Sequence, residues 1–262
     1  MTPRLSITTD LVSQHSDLSE EVQAFAQAGF THIHWCQNWA GEPVLYDADF
    51  IAATLARLRT SGIAIADIHG YSGTGGKLPY TDELFLAINR NRLDFAAATG
   101  AGVLVLHLPL RETGCMAGDL DHSRRMIESL LPDCRRAGVV PAIENLRANR
   151  EFLQTLLEAF GPSALGFCYD SGHAHLHKVP DLVKAFSHRL VATHLHDNDG
   201  TADQHRLPGE GRCDWGMIAR TLRECGYQGT WNLEVHARKD MPLKDFCQLA
   251  HQTLQRLADA SA

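Results

Sequence analysis

Acidic and imidazole side chains are concentrated in one stretch, THLHDNDGTADQHRLPGEGRCDW, at residues 193–215. The residues in it that could ligate a metal are His194, His196, Asp197, Asp199, Asp203 and His205. Neutral imidazoles and ionised carboxylates are common ligands of Zn, Mn, Fe and Co. His194 and His196 follow an apolar run and lie two residues apart, so on a β-strand their side chains share a face. The pattern predicts a divalent-metal site; the alternative is a polar loop whose histidines cap strand ends.

Further polar residues interrupt apolar runs near their C-terminal ends: His69, His107, Glu144, Asp170 and Glu234. A buried carboxylate is costly without a partner, and converging carboxylates repel unless a cation or shared protons compensate them. A divalent metal is the simplest compensation. The mixed ligand types favour Mn, Co, Fe or Zn, with Mg less preferred once histidine takes part.

Apolar runs alternate with amphipathic stretches along the whole chain and form eight strand–helix units. Such a pattern predicts an α/β fold, a (β/α)8 TIM barrel, as a single domain over residues 1–262. The alternative is an open doubly wound sheet, but no GxGxxG motif follows the first strand. In a barrel all strand C-termini meet on one face, which would bring the polar residues together.

Composition restricts the partners and the compartment. A net charge of −7 provides no basic footprint and argues against nucleic acid. Seven cysteines without a CxxC pair indicate reduced thiols. The first residues lack the apolar core of a signal peptide, and no apolar run reaches the ~20 residues that cross a bilayer. We therefore expect a cytoplasmic protein without membrane contact. Barrels of this kind often associate, so a homo-oligomer is a further expectation.

Several single residues are weaker candidates for the pocket. Trp35 and Trp39 are expected to wall it against a substrate's apolar face, and Arg206 is a candidate contact to a substrate oxygen. Lys77 and Arg111 are either phosphate ligands or solvated loop charges, and the second interpretation is favoured.

Five motifs carry a family resemblance: IEN at 143–145, DSGH at 170–173, HLHDNDG at 194–200, the run from Asp203 through His205 to PGEG at 208–211, and LE at 233–234. With these motifs the sequence resembles the xylose isomerase-like barrel superfamily of sugar isomerases and epimerases, which also contains endonuclease IV. The resemblance covers nearly the whole chain. It implies an enzyme that acts on a small carbohydrate, a sugar or sugar phosphate, with one divalent metal.

The resemblance also implies residue roles. The metal ligands would be Glu144, Asp170, His194 and Glu234. His196 competes with His194, which is preferred because Asp197 follows it by three residues, as in the family motif. Glu144 and Glu234 would be the acid–base pair that moves a proton through an enediolate. His173 and His196 would contact the substrate, and His34 would line the pocket without ligating, since the family has no ligand on strand two.

Two alternatives remain open. Endonuclease IV-like members bind three zinc ions with nine residues, and the matching positions here are His69, His107, Glu144, Asp170, His173, His194, Asp203, His205 and Glu234. That set predicts a multi-zinc phosphoesterase with a metal-activated hydroxide. The other alternative is a non-catalytic carbohydrate-binding barrel, against which the Glu144–Glu234 pair argues.

Overall fold

Eight parallel strands in the order β7-β6-β5-β4-β3-β2-β1-β8 form the sheet of the computed structural model. The structure describes residues 3–11, 18–36, 44–71, 81–108, 117–146 and 150–259. The strands are β1 Arg4–Thr8, β2 His32–Trp35, β3 Ala64–His69, β4 Val103–Leu106, β5 Val140–Glu144, β6 Gly166–Asp170, β7 Leu190–His194 and β8 Thr230–Leu233. The helices are α1 Leu18–Ala28, α2 Ala48–Ser61, α3 Asp82–Thr99, α4 Ala117–Ala137, α5 Arg150–Ala159, α6 Ser171–Leu176, α7 Leu182–Ala185, α8 Trp215–Glu224 and α9 Leu243–Asp259.

The sheet closes between β7 and β8. Leu195, just after β7, donates its N–H to Asn232 O and accepts from Glu234 N. One residue before the end of β7, the Thr193 hydroxyl donates to Thr230 O at 3.1 Å and accepts from Asn232 N at 3.3 Å. A side chain thus replaces part of the backbone ladder at this seam. The arrangement confirms the predicted (β/α)8 barrel.

Side chains inside the barrel form two layers on the strands that precede the mouth. The lower layer is small and apolar, and its fully buried members are Val105, Ala142, Cys168 and Ala192. Each lies two residues before a polar residue on the same strand, and positions two apart share a face. The upper layer therefore consists of His107, Glu144, Asp170 and His194.

Two local features stand beside the strand–helix pattern. One helix, α4, runs from Ala117 to Ala137 with Pro132 inside it. The DSGH motif begins the short helix α6, which Asp170 caps by accepting from His173 N at 2.6 Å. Within the described ranges no helix has the length and apolar character to cross a membrane.

Arg189 holds the segment that precedes β7 in place. Its side chain is buried and donates to three carbonyls at the end of α5 and in the following turn: Leu157 O at 2.5 Å, Phe160 O at 3.0 Å and Leu165 O at 2.6 Å. The last carbonyls of a helix have no partner within the helix. Arg189 satisfies them and so fixes the start of the strand that carries His194.

We expect Arg189→Met to lower the free energy of unfolding by about 3 kcal/mol, because buried carbonyls would lose charge-assisted hydrogen bonds. The control is Arg150→Met, which removes an exposed ion pair to Asp181 at 2.9 Å and should cost less than about 1 kcal/mol. Urea denaturation of both variants measures the difference. Equal losses would contradict the structural role of Arg189.

Candidate metal centre

The strand C-termini bring the predicted ligands to one mouth, as the barrel topology requires. His69, Glu144, Asp170 and His194 are the last residues of β3, β5, β6 and β7. His107 and Glu234 follow directly after β4 and β8. His173 lies in α6, and Asp203 and His205 lie in the loop between β7 and α8. All nine candidate positions are within the described residues.

Glu144 lies at the centre of the cluster and is buried. Its Oε2 is 2.9 Å from His107 Nε2. Its Oε1 is 3.4 Å from His173 Nδ1 and also 3.4 Å from His194 Nδ1. One carboxylate therefore contacts three imidazoles that belong to three different strand–helix units.

Glu234 is the second buried carboxylate, and its Oε2 lies 3.2 Å from His194 Nδ1. The His194 ring thus lies between Glu144 and Glu234. Burial would raise the pKa of both carboxyls, but the positive charge of His194, the largest opposing effect, holds both pKa values well below their usual range. The ionised form of both carboxyls is thereby favoured, with a proton on His194 as the compensating charge.

The two histidines of the HLH motif have different carboxylate partners. His194 contacts the two glutamates, whereas His196 Nε2 is 3.0 Å from Asp170 Oδ2. Both imidazoles are fully buried. Asp170 is predicted as a co-ligand of His194. His173 lies between Asp170 and Glu144, because its Nδ1 is 3.7 Å from Asp170 Oδ1 and 3.4 Å from Glu144 Oε1.

A second group forms on the β3–β4 side of Glu144. His69 Nε2 lies 3.1 Å from His107 Nε2 and 4.0 Å from Glu144 Oε2. The other ring nitrogen of His69 is 2.8 Å from Gly70 O, so Nδ1–H donates and the Nε2 lone pair faces the mouth. Burial, and then the charge of His107, lowers the pKa of His69 to about 3. His69 is therefore neutral and able to ligate.

A third group lies at the outer rim. Asp203 Oδ2 is 3.2 Å from His173 Nε2 and 3.3 Å from His205 Nε2. Burial would lower the pKa of His205, but the hydrogen bond to Asp203 and the charge of Glu234 raise it to about 10. His205 has φ of 45°, a left-handed conformation that costs energy in residues other than glycine. Such strain is often found at functional sites.

The donor set fits a divalent cation. Neither ring nitrogen of His194 makes a hydrogen bond, although both are buried, and the same holds for His173 Nδ1 and His196 Nδ1. Buried polar atoms nearly always have a partner, so unsatisfied nitrogens beside ionised carboxylates indicate a missing ligand. A cation at His194 would replace the compensating proton, so metal binding and protonation compete there.

Asp197 holds the loop that follows the HLH motif. It accepts from Gly209 N at 2.9 Å, Cys213 N at 3.0 Å and Trp215 Nε1 at 2.7 Å. Gly211 packs so closely that a Cβ there would lie 2.3 Å from Asp197 Oδ1. The PGEG motif is thus part of the support of the centre, because it wraps around Asp197.

Two predicted substrate contacts have partners within the protein. Trp35 is fully buried on the opposite face of β2 from His34, where its Nε1 donates to Tyr46 Oη at 2.9 Å and its ring packs on Phe95. Its interpretation as a pocket wall is corrected, because strand alternation turns it toward the helices. Arg206 is held by Asp199 Oδ2 at 3.3 Å. The candidates Trp39, Lys77 and Arg111 lie outside the described residues.

Sequence reasoning missed Asp67, which is buried and contacts His34 Nδ1. The signal was present, since Asp67 interrupts the apolar run IAIADIH two residues before His69 and so shares its face.

The comparisons with known proteins place the fold in a family. Residues 22–258 match the family described as xylose isomerase-like TIM barrel. The chain belongs to this family. An uncharacterized protein of Sinorhizobium fredii, y4fM, is 29% identical over 271 residues, which cover 90% of this chain and 87% of the relative.

Solved structures share the architecture at low identity. The IolI protein, solved with a bound zinc atom, superposes with a TM-score of 0.79 at 14% identity over 99% of each chain. The D-psicose 3-epimerase of Clostridium cellulolyticum H10, solved with D-tagatose, has a TM-score of 0.71 at 15% identity over 98% of each chain. A D-tagatose 3-epimerase-like protein has a TM-score of 0.76 at 18% identity, over 99% of this chain and 100% of its own. These likenesses show the fold.

We expect a divalent metal to stabilise the protein. At one hundred times its dissociation constant a ligand adds about 2.7 kcal/mol. That corresponds to a rise in Tm of about 5–10 °C for a chain of this size. Thermal unfolding with Zn, Mn, Co, Mg or Fe, before and after chelation, measures it. The double variant Glu144→Gln/Glu234→Gln is the control and should show no rise, whereas a wild-type Tm that no metal changes would contradict the site.

Gly172→Ala tests the packing behind Asp170. A Cβ at Gly172 would lie 1.9 Å from His196 Cε1, so the buried ring must move away from Asp170. We expect a loss of about 1–3 kcal/mol in the free energy of unfolding. Gly102→Ala, with no atom within 4 Å of its Cβ, is the matched control and should change stability by less than about 0.5 kcal/mol. Urea denaturation compares them, and a neutral Gly172→Ala would argue against this packing.

Proposed function

We propose that the protein is a metal-dependent isomerase or epimerase of a sugar or sugar phosphate, with Glu144 and Glu234 as its acid–base pair. One observation carries the proposal: two buried, ionised carboxylates lie 3.4 Å and 3.2 Å from the same imidazole nitrogen at the barrel mouth. The family membership supports it. Two solved structures with the same fold, a D-tagatose 3-epimerase-like protein and a D-psicose 3-epimerase, support it as well.

The chemistry follows from the two carboxylates. A divalent cation held by Glu144, Asp170, His194 and Glu234 would stabilise the negative charge that develops on the substrate oxygens. One carboxylate would remove the proton from the carbon beside the carbonyl, because an ionised carboxylate can act as a general base. Delivery of that proton to the opposite face of the same carbon is epimerisation, and delivery to the neighbouring carbon is isomerisation.

Exposure separates substrate contacts from supporting residues. The side chains of His107 and His173 are 24% and 16% exposed, whereas those of His194 and His196 are fully buried. We therefore assign the contacts with substrate hydroxyls to His173. His196, also expected to contact the substrate, is fully buried with Nε2 3.0 Å from Asp170 Oδ2, and we assign it to positioning that carboxylate.

Glu144→Gln and Glu234→Gln test the acid–base assignment. Each variant should retain its fold by circular dichroism and lose about 10²–10⁴-fold in kcat, since amides cannot transfer the proton. The control is Glu83→Gln, which changes an exposed glutamate in the first turn of α3 and should be silent. A panel of ketoses, aldoses and their phosphates supplies the substrates. Retained turnover in either variant would remove that residue from the mechanism, and saturable binding without conversion by the wild type would favour a carbohydrate-binding barrel.

A second candidate function is a multi-metal phosphoesterase. The observation in its favour is that Glu144 contacts His107 through one carboxylate oxygen and His194 and His173 through the other. His173, Asp203 and His205 form a further group at the rim. A single-metal epimerase does not need the His69–His107 group or the rim group as ligands. The net charge of −7 counts against a nucleic acid substrate.

Metal content separates the two candidates. The isomerase or epimerase should contain about one Mn, Co, Mg, Fe or Zn per chain, and the phosphoesterase two or three Zn. Elemental analysis of protein purified without chelators and without a histidine tag counts them. His205→Asn supplies the internal check, since it should lower the count only if the rim group binds metal.

A further inference from the structure

A β-bulge brings a histidine and an aspartate together beneath the mouth. In β2 and β3 the paired residues are first His32 with Ala64 and Ile33 with Ile65, and then the register shifts so that His34 faces Asp67. Bulges are frequent beside active sites, where they redirect a side chain. Both residues are buried, His34 completely, and His34 Nδ1 contacts Asp67 Oδ1.

The contact with Asp67 decides which nitrogen of His34 is free. Asp67 accepts from Nδ1–H, so the lone pair is on Nε2. His69 has the same arrangement, with Nδ1 held by Gly70 O. Both imidazoles are thus oriented by an oxygen on one side and present Nε2 on the other.

The free nitrogen of His34 points into the ligand cluster. Its Nε2 is buried without a hydrogen-bond partner and lies 3.9 Å from Glu234 Oε1. Its ring centroid is 4.4 Å from that of His194. Ligand atoms of His34, His194 and Glu234 all lie within 4.8 Å of one another. Two ligands at about 2.0–2.2 Å from one ion are separated by at most about 4.4 Å, so the His34–Glu234 distance suits a shared ion.

We propose that His34, oriented by Asp67, is a further metal ligand of this centre, on the side of His194 and Glu234. The proposal rests on the metal centre of the proposed function and extends it to β2, where the family resemblance implies pocket lining only. A second neutral imidazole raises the preference for Zn, Co or Fe over Mg and Mn. The ligand set would then be two imidazoles and three carboxylates.

The experiment measures binding of Co²⁺ and Zn²⁺ alone, by competition with a chromophoric chelator, in the full chain. His34→Asn should weaken binding by at least about 10–100-fold and change the visible spectrum of bound Co²⁺. The control is His32→Asn, which removes a part-exposed imidazole from the same strand that contacts Thr31 Oγ1 at 2.8 Å, and it should bind as the wild type does.

Asp67→Asn is the second variant and keeps the imidazole in place. Asparagine can either accept from or donate to Nδ1, so His34 no longer has a single tautomer, and affinity should fall by about 10-fold. Asp67→Asn replaces His34→Asn in the experiment if His34→Asn does not fold. Unchanged affinity together with an unchanged Co²⁺ spectrum, in whichever of the two variants folds, overturns the proposal.

The two proposals fail in distinguishable ways. A wild type that binds Co²⁺ through His34 but converts no sugar overturns the proposed function and leaves His34 a ligand. A His34→Asn variant with wild-type affinity but reduced kcat overturns the ligand assignment and makes His34 a positioning residue for Glu234. A wild type that binds neither ion overturns both.

Discussion

The structure depends on keeping two ionised carboxylates out of water at one end of a barrel. Glu144 and Glu234 are buried, and a buried charge without compensation is unstable. The surrounding architecture supplies that compensation, with His194 between the two carboxylates and with His107 and His173 around Glu144. The small apolar residues of the lower layer fill the barrel directly below these polar side chains. The same side chains offer the carboxylate oxygens and imidazole nitrogens that divalent cations bind in proteins.

Contacts around the proposed ligands support the centre. Asp197 binds the loop from Gly209 to Trp215 through backbone amides and an indole, and the proposed ligand Asp170 also caps α6 and contacts His196. These contacts connect Asp170 and the segment after His196 to neighbouring elements. Orientation by such outer partners, rather than ligand identity alone, determines how well a metal is held.

The sequence predicts the layers of this fold well and their side-chain partners less well. Apolar runs ending in His69, Glu144, Asp170 and His194 predict the strand ends correctly, because period and polarity change together there. The six-residue helix α6 is too short for a helical period to show. Trp35 is misassigned although alternation with His34 already turns it outward. The partner of His34 depends on a register shift, which no periodicity encodes. His194 and His196 share a face of the strand, so periodicity does not tell which carboxylates each of them contacts. That choice depends on side-chain positions.

The seam between β7 and β8 has a consequence for the geometry of the candidate site. His194 and Glu234 lie on the two sides of this seam, where two backbone hydrogen bonds of Leu195 and a threonine hydroxyl stand in for a full ladder. A junction with few hydrogen bonds deforms at a lower cost than a full ladder, since fewer bonds must be strained. Such a seam would let the distance between His194 and Glu234 adjust to whatever binds between them, while the rest of the sheet keeps its pairing.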